Sequence, residues 1–113
     1  MKYMYLLFTL VKGYQIEKWK IKKKEYNNGW AYYLERPKES LLTEVYNEIV
    51  VDENYITYNE SIIVAFSPKC ALLKHIMNLN NNIIELGEKL GNNYVEIIYS
   101  QIHQAKKELE KYL

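Results

Sequence analysis

One cysteine, Cys70, excludes an internal disulfide, and with only two histidines, His75 and His103, the chain is short of ligands for a structural zinc site. A chain without disulfides suits a reducing compartment, so cytoplasmic localisation is expected, with Cys70 as a small buried hydrophobe. A single arginine, Arg36, stands against fourteen lysines, which rules out bidentate guanidinium forks as the main means of recognising an anion. No stretch approaches the roughly 20 apolar residues that a membrane span needs. The opening "MKYMYLLFTLVKGY" imitates a signal peptide only faintly, lacking a small-residue cleavage site, and reads better as a strand. Also missing are a P-loop, a paired-glycine dinucleotide turn, a nucleophile elbow and H-E-x-x-H. The two histidines lie outside the apolar helix seam and do not converge, so they are expected to be exposed or half-exposed. The expected class is therefore non-enzymatic, with a small hydrolase or nuclease as the alternative, and with no cofactor and no metal.

What is present is ordinary globular material. The 113 residues are 49% hydrophobic and 26% charged, enough for one domain with one modest core. The net charge of +1 conceals segregation. Residues 1–38 hold nine basic and three acidic residues, residues 39–66 hold six acids and no base, and residues 67–113 hold six lysines and five glutamates. Blocks of opposite sign neutralise one another if the fold joins them and otherwise make two patches. The abundance of Lys, Asn, Ile and Tyr also fits AT-rich codons, as in a low-GC bacterium or its phage.

Alternation marks the first segments as strands, because successive side chains of a strand point to opposite faces. Met4, Leu6, Phe8 and Leu10 make one face of the first strand, and Tyr3, Tyr5, Leu7, Thr9 and Val11 the other. A two-residue turn at Lys12-Gly13 would pair Met4 with Ile21 and Leu6 with Trp19. A second turn at Asn28-Gly29 would place Lys24 opposite Tyr33, Lys23 opposite Leu34 and Lys22 opposite Glu35. Both registers put Trp19, Ile21, Tyr32 and Leu34 on an inner face and the even-numbered lysines outside. Arg36-Pro37 ends the third strand. Residues 40–51 fit either a short helix or a strand from Val45 to Val51, and residues 55–66 read as one or two more strands.

Ser67-Pro68 signals a helix start. Leu72, Ile76, Leu79, Ile83, Leu86 and Leu90 recur at alternating spacings of four and three, Gly91 suits a left-handed stop, and Asn92 or Asn93 is placed to cap a second helix. That helix carries Val95, Ile98, Ile102, Ala105, Leu109 and Tyr112. Asparagines around position 80 and Gly87 would permit a kink in the first helix. The expected fold is α+β: an antiparallel sheet, made of a three-stranded meander (residues 1–36) plus one or two further strands, packed with an antiparallel two-helix hairpin. Residues 1–66 are mainly β and residues 67–113 helical, within one domain.

The candidate binding surface is the row Lys18, Lys20, Lys22 and Lys24 beside Tyr3, Tyr5, Tyr26 and Tyr33. Lysines attract phosphates and flat rings offer stacking platforms, although a solvated face with lysine stems lying on tyrosine rings would have the same composition. Tyr94, Tyr99 and Tyr112 add aromatic surface to a helix that already has an apolar face and suggest an interface, such as a homodimer through the helices. The function these features imply is a small interaction protein, of phage or mobile-element character, that binds and inhibits a host defence factor or sequesters an anionic ligand. The alternative is a single-stranded nucleic-acid or nucleotide binder that uses the lysine and tyrosine face.

Overall fold

A computed structural model describes residues 2–10, 13–26, 29–42, 48–52, 57–59 and 62–113. Among these residues six strands and two long helices follow in order: β1 (Tyr3–Thr9), β2 (Tyr14–Tyr26), β3 (Trp30–Glu35), β4 (Glu48–Asp52), β5 (Thr57–Asn59), β6 (Ile62–Ala65), α1 (Pro68–Leu90) and α2 (Asn92–Leu109), with a terminal 3₁₀ turn, Glu110–Tyr112. The chain divides into two compact units, Met1–Ala71 and Leu72–Leu113. The first turn of α1 thus belongs with the sheet.

The first unit is one antiparallel sheet of order β4-β3-β2-β1-β6-β5, so the meander is extended by β4 on one side and by β6 and β5 on the other. Residues 43–47, over which the choice between helix and strand was open, lie outside the described residues, and β4 occupies the end of that stretch. One face of the sheet is the core. Met4, Leu6, Phe8, Trp19, Tyr32, Leu34, Ile49, Val51, Ile62 and Val64 are buried together with Leu42, and Ile21 packs against them. β6 is buried on both faces, as suits an interior strand with a continuous apolar run.

Two registers differ from those that the turns suggested. β1 and β2 pair Met4 with Trp19 and Thr9 with Tyr14, two residues away from the expected pairing. The Leu10 amide donates to the Gly13 carbonyl at 3.0 Å, so that pair closes the hairpin, with Gly13 at φ 97° beside the turn rather than within it. A shift of two leaves every side chain on its expected face.

The β2–β3 difference is one residue, and it matters more. Tyr26 pairs with Trp30, so the connection is three residues long, and Lys24 lies opposite Tyr32 and Lys23 opposite Tyr33. Between Ile21 and Lys23 the register shifts, after which Ile21 pairs with Leu34 and Lys20 with Glu35. Lys22 is thus the extra residue of a β-bulge, which restores the core phase that the longer turn displaced. Because the flanking pairs already alternate correctly, deleting Lys22 is expected to leave the ladder in place and thermal stability within about 1 kcal/mol of the parent. A regular ladder through Lys22 predicts the reverse, with every residue from Lys23 to Tyr26 changing face and a cooperative loss of stability on melting.

In the second unit, Leu72, Ile76, Leu79, Ile98 and Ile102 are buried as their spacing predicts, while Ile83, Leu86, Val95 and Leu109 are half-buried. Ser67 caps α1, its hydroxyl accepting from the Cys70 amide at 3.1 Å. α1 runs unbroken through the asparagines near 80. A single residue, Gly91 at φ 85°, joins the helices and is itself the N-cap of α2, so neither Asn92 nor Asn93 caps it. Two side chains differ from expectation. Cys70 is exposed, because the third helical position points away from the buried stripe, and His75 is buried. The apolar face of a helix spans an arc of roughly 100° or more, and His75, three residues after Leu72, falls inside it.

Candidate functional site: the ribbon of β2 and β3

The bulge divides the predicted lysine row. Lys18 and Lys20 stay on the outer face, opposite Tyr5 and Tyr3 on β1, and Lys20 opposite Glu35 on β3. Lys23 joins this face opposite Tyr33. Lys24 passes to the other face, opposite Tyr32, with Tyr26 and Trp30 forming the next pair on that side. Lys18, Lys20, Lys22 and Lys24 therefore do not share one face, and the ribbon carries positive charge on both.

On the outer face the Lys18 ammonium lies 4.2 Å from the Tyr3 ring centroid, and that of Lys23 lies 5.3 Å from the Tyr33 centroid. Lys23 also forms an ion pair with Glu25, and the Tyr33 hydroxyl donates to Glu25 Oε2 at 2.9 Å. The hydrogen-bonded Lys23 ammonium, and after it the Tyr33 hydroxyl, hold the Glu25 carboxyl below its ordinary value of 4.5. These contacts resemble the solvated face that the composition also allowed, with lysine stems lying on tyrosine rings.

The end of the ribbon is different. The Lys24 ammonium lies 4.4 Å from the Trp30 centroid and 5.5 Å from that of Tyr32, and the Tyr26 ring meets Trp30 edge-on at 5.2 Å and 63°. Tyr26 is 68% exposed and Trp30 39%, whereas the other tryptophan, Trp19, is fully buried. The β1–β2 ladder stops at Lys20, so the stretch from Lys22 to Tyr26 runs past the end of β1. Trp30 and Lys23 were missed in the sequence. Both become visible once the loop is taken as three residues, because Trp30 then pairs with Tyr26.

At the opposite end of β2 stands a buried carboxylate. Glu17 shares the core face with Trp19 and accepts from the Trp19 indole at 3.0 Å, the Ser40 hydroxyl at 2.6 Å and the Leu41 amide at 2.7 Å. Arg36 reinforces this turn by donating to the Leu42 carbonyl at 2.5 Å. An open depression of about 220 Å³ lies alongside, lined by Gln15, Glu17, Lys18, Pro37, Glu39 and Ser40. Because Glu17 serves three donors, it is a clamp on residues 40–42 rather than a free acid or base.

Tyr99 and Tyr112 on the predicted interface are exposed, and Tyr94 is half-buried. His103 is exposed as expected, and among the described residues no three His, Cys, Asp or Glu side chains gather to hold a metal. Among the described residues no helix is long and apolar enough to cross a membrane. Burial pushes the His75 imidazole below its ordinary 6.5, so the neutral ring is the form that folds. Stability present above pH 6.5 should fall as the pH drops through that value, and level off below the depressed folded value. Melting temperatures measured from pH 8 to pH 5 are expected to show this decline and to lose part of it in His75→Leu.

Comparison with protein-family models, curated proteins and solved structures finds no match.

Proposed function

We propose that the chain is a non-catalytic interaction protein that engages an anionic macromolecule through the β2–β3 ribbon. The observation that carries this reading is the bulge at Lys22, which sends Lys20 and Lys23 to one side and Lys24 to the other and leaves Tyr26 and Trp30 exposed at the end. A double-faced cationic ribbon suits a partner that wraps or clasps it. Inhibition of a host defence factor on behalf of a phage or mobile element would suit the small size and the lysine-, asparagine- and isoleucine-rich composition. Binding to heparin as a function of salt tests the reading. If three or four lysines neutralise anions, the logarithm of the affinity should fall against the logarithm of salt concentration with a slope of about −2 to −4. Affinity that ignores salt, or no retention even in dilute buffer, would count against it.

A second reading is self-association through the helical unit. Leu73, Met77 and Ile84 are exposed and fall within one narrow arc of α1, well away from its buried stripe. Sedimentation equilibrium should then report a dimer that Met77→Glu with Ile84→Glu dissociates; a monomer at high concentration would contradict it.

A further inference from the structure

We propose that the end of the β2–β3 ribbon is a site for single-stranded nucleic acid, where one unpaired base stacks in the corner made by Tyr26 and Trp30 while flanking phosphates are held by Lys22 and Lys24. The inference depends on the ribbon being the recognition surface and adds the class of ligand.

Two exposed aromatic rings at the end of a lysine-bearing strand supply both halves of the recognition that an unpaired strand requires, a π-face for the base and charge for the backbone. The rings are inclined at 63°, so two successive bases cannot stack in parallel on both. A single base lies flat on one ring and meets the edge of the other. The Lys24 ammonium already lies 4.4 Å from the Trp30 centroid. When a phosphate approaches, Lys24 swings towards it, and the ring face it leaves accepts the base, so that one π-contact replaces another. A duplex cannot use this corner without unpairing, because the faces of its bases are covered by their stacked neighbours. Room for the strand comes from the sheet itself, since β1 pairing ends at Lys20 and the segment bearing Lys22, Lys24 and Tyr26 extends beyond it. An acidic polypeptide would satisfy the lysines equally well but gains no stacking from the corner.

The test uses the whole chain and three probes: a short single-stranded oligothymidylate, heparin and poly-glutamate. Trp19 is fully buried and Trp30 is not, so a change in tryptophan emission on binding reports on Trp30. Oligothymidylate is expected to quench that emission saturably and heparin is not. Tyr26→Ala and Trp30→Leu should each weaken oligothymidylate binding, followed by anisotropy of a labelled strand, roughly 5- to 150-fold while heparin binding stays within twofold. Tyr26 is the more exposed ring, so Tyr26→Ala keeps the test decisive if Trp30→Leu proves poorly folded. Equal binding of oligothymidylate and heparin with no effect of either ring substitution would overturn the nucleic-acid site and leave the anionic ribbon standing. Tighter binding of poly-glutamate than of oligothymidylate would overturn it in favour of an acidic protein. Failure of all three polyanions to bind would remove the ribbon reading as well.

Discussion

Replacing Glu17 with Ala is expected to destabilise the protein by about 2–5 kcal/mol, a fall in melting temperature of at least about 10 °C. The carboxylate lies on the core face of β2 with two oxygens serving three donors, from the Trp19 indole, the Ser40 hydroxyl and the Leu41 amide. Removing it takes the acceptor from all three, and while exposed Leu41 and half-buried Ser40 can turn to solvent, the indole of fully buried Trp19 cannot. Loss of packing around residues 40–42 follows, because Leu42 belongs to the core and the Leu41 amide is one of the points that fix its approach. Glu17→Gln keeps the volume and one acceptor but turns an amide donor towards other donors, so an intermediate loss is expected. Ser40→Ala removes one donor to Glu17 and the hydroxyl that accepts from the Leu42 amide at 3.2 Å, and should cost about 1–2 kcal/mol. A Glu17→Ala variant that melts within about 1 °C of the parent would show that the clamp contributes nothing to folding, and Glu17 would then have to be reconsidered as a functional carboxylate.

Glu17 also shows how far the sequence could be followed. Alternation in β2 places it with Trp19 and Ile21 on the inner face, and an acid at a core position signals a buried polar network, yet two of its three partners, Ser40 and Leu41, lie more than twenty residues away in a segment with no periodic pattern. Where apolar residues alternate, the faces were legible: Met4, Leu6 and Phe8 on β1, Trp19 and Ile21 on β2, Tyr32 and Leu34 on β3 all lie where the period of two puts them. Where the alternation stops, register became ambiguous. After Ile21 the strand reads Lys22-Lys23-Lys24, and three like residues in succession carry no phase, so nothing in that run distinguishes a regular ladder from a bulge. The Asn-Gly dipeptide favoured a two-residue turn, and the pairing of Tyr26 with Trp30 shows a three-residue one. That single residue decides which side of the ribbon Lys24 occupies.

The helices were legible for a different reason. Ser67, Pro68 and Gly91 each perform the terminus chemistry their residue types favour, and the four-three spacing of Leu72, Ile76 and Leu79 survives the asparagines that follow. His75 and Cys70 were misplaced because a strict seam is narrower than the face a helix buries, and because cysteine's preference for burial is weaker than the geometry of the position it occupies.

The measurement that bears most directly on the ribbon as a recognition surface is polyanion binding by the triple variant Lys20→Glu, Lys22→Glu, Lys24→Glu at low and moderate salt. The change reverses three charges spread over both faces of the ribbon, for a difference of about six in net charge, and affinity for heparin or oligothymidylate should fall by at least about 100-fold in dilute salt, with the remaining salt dependence close to flat. Thermal stability should change by less than about 1 kcal/mol, because exposed charges contribute weakly to folding. All three lysines are exposed, which makes the separation between binding and stability a fair demand. Undiminished polyanion binding by a folded triple variant would contradict the account and leave the lysines as a solubilising surface.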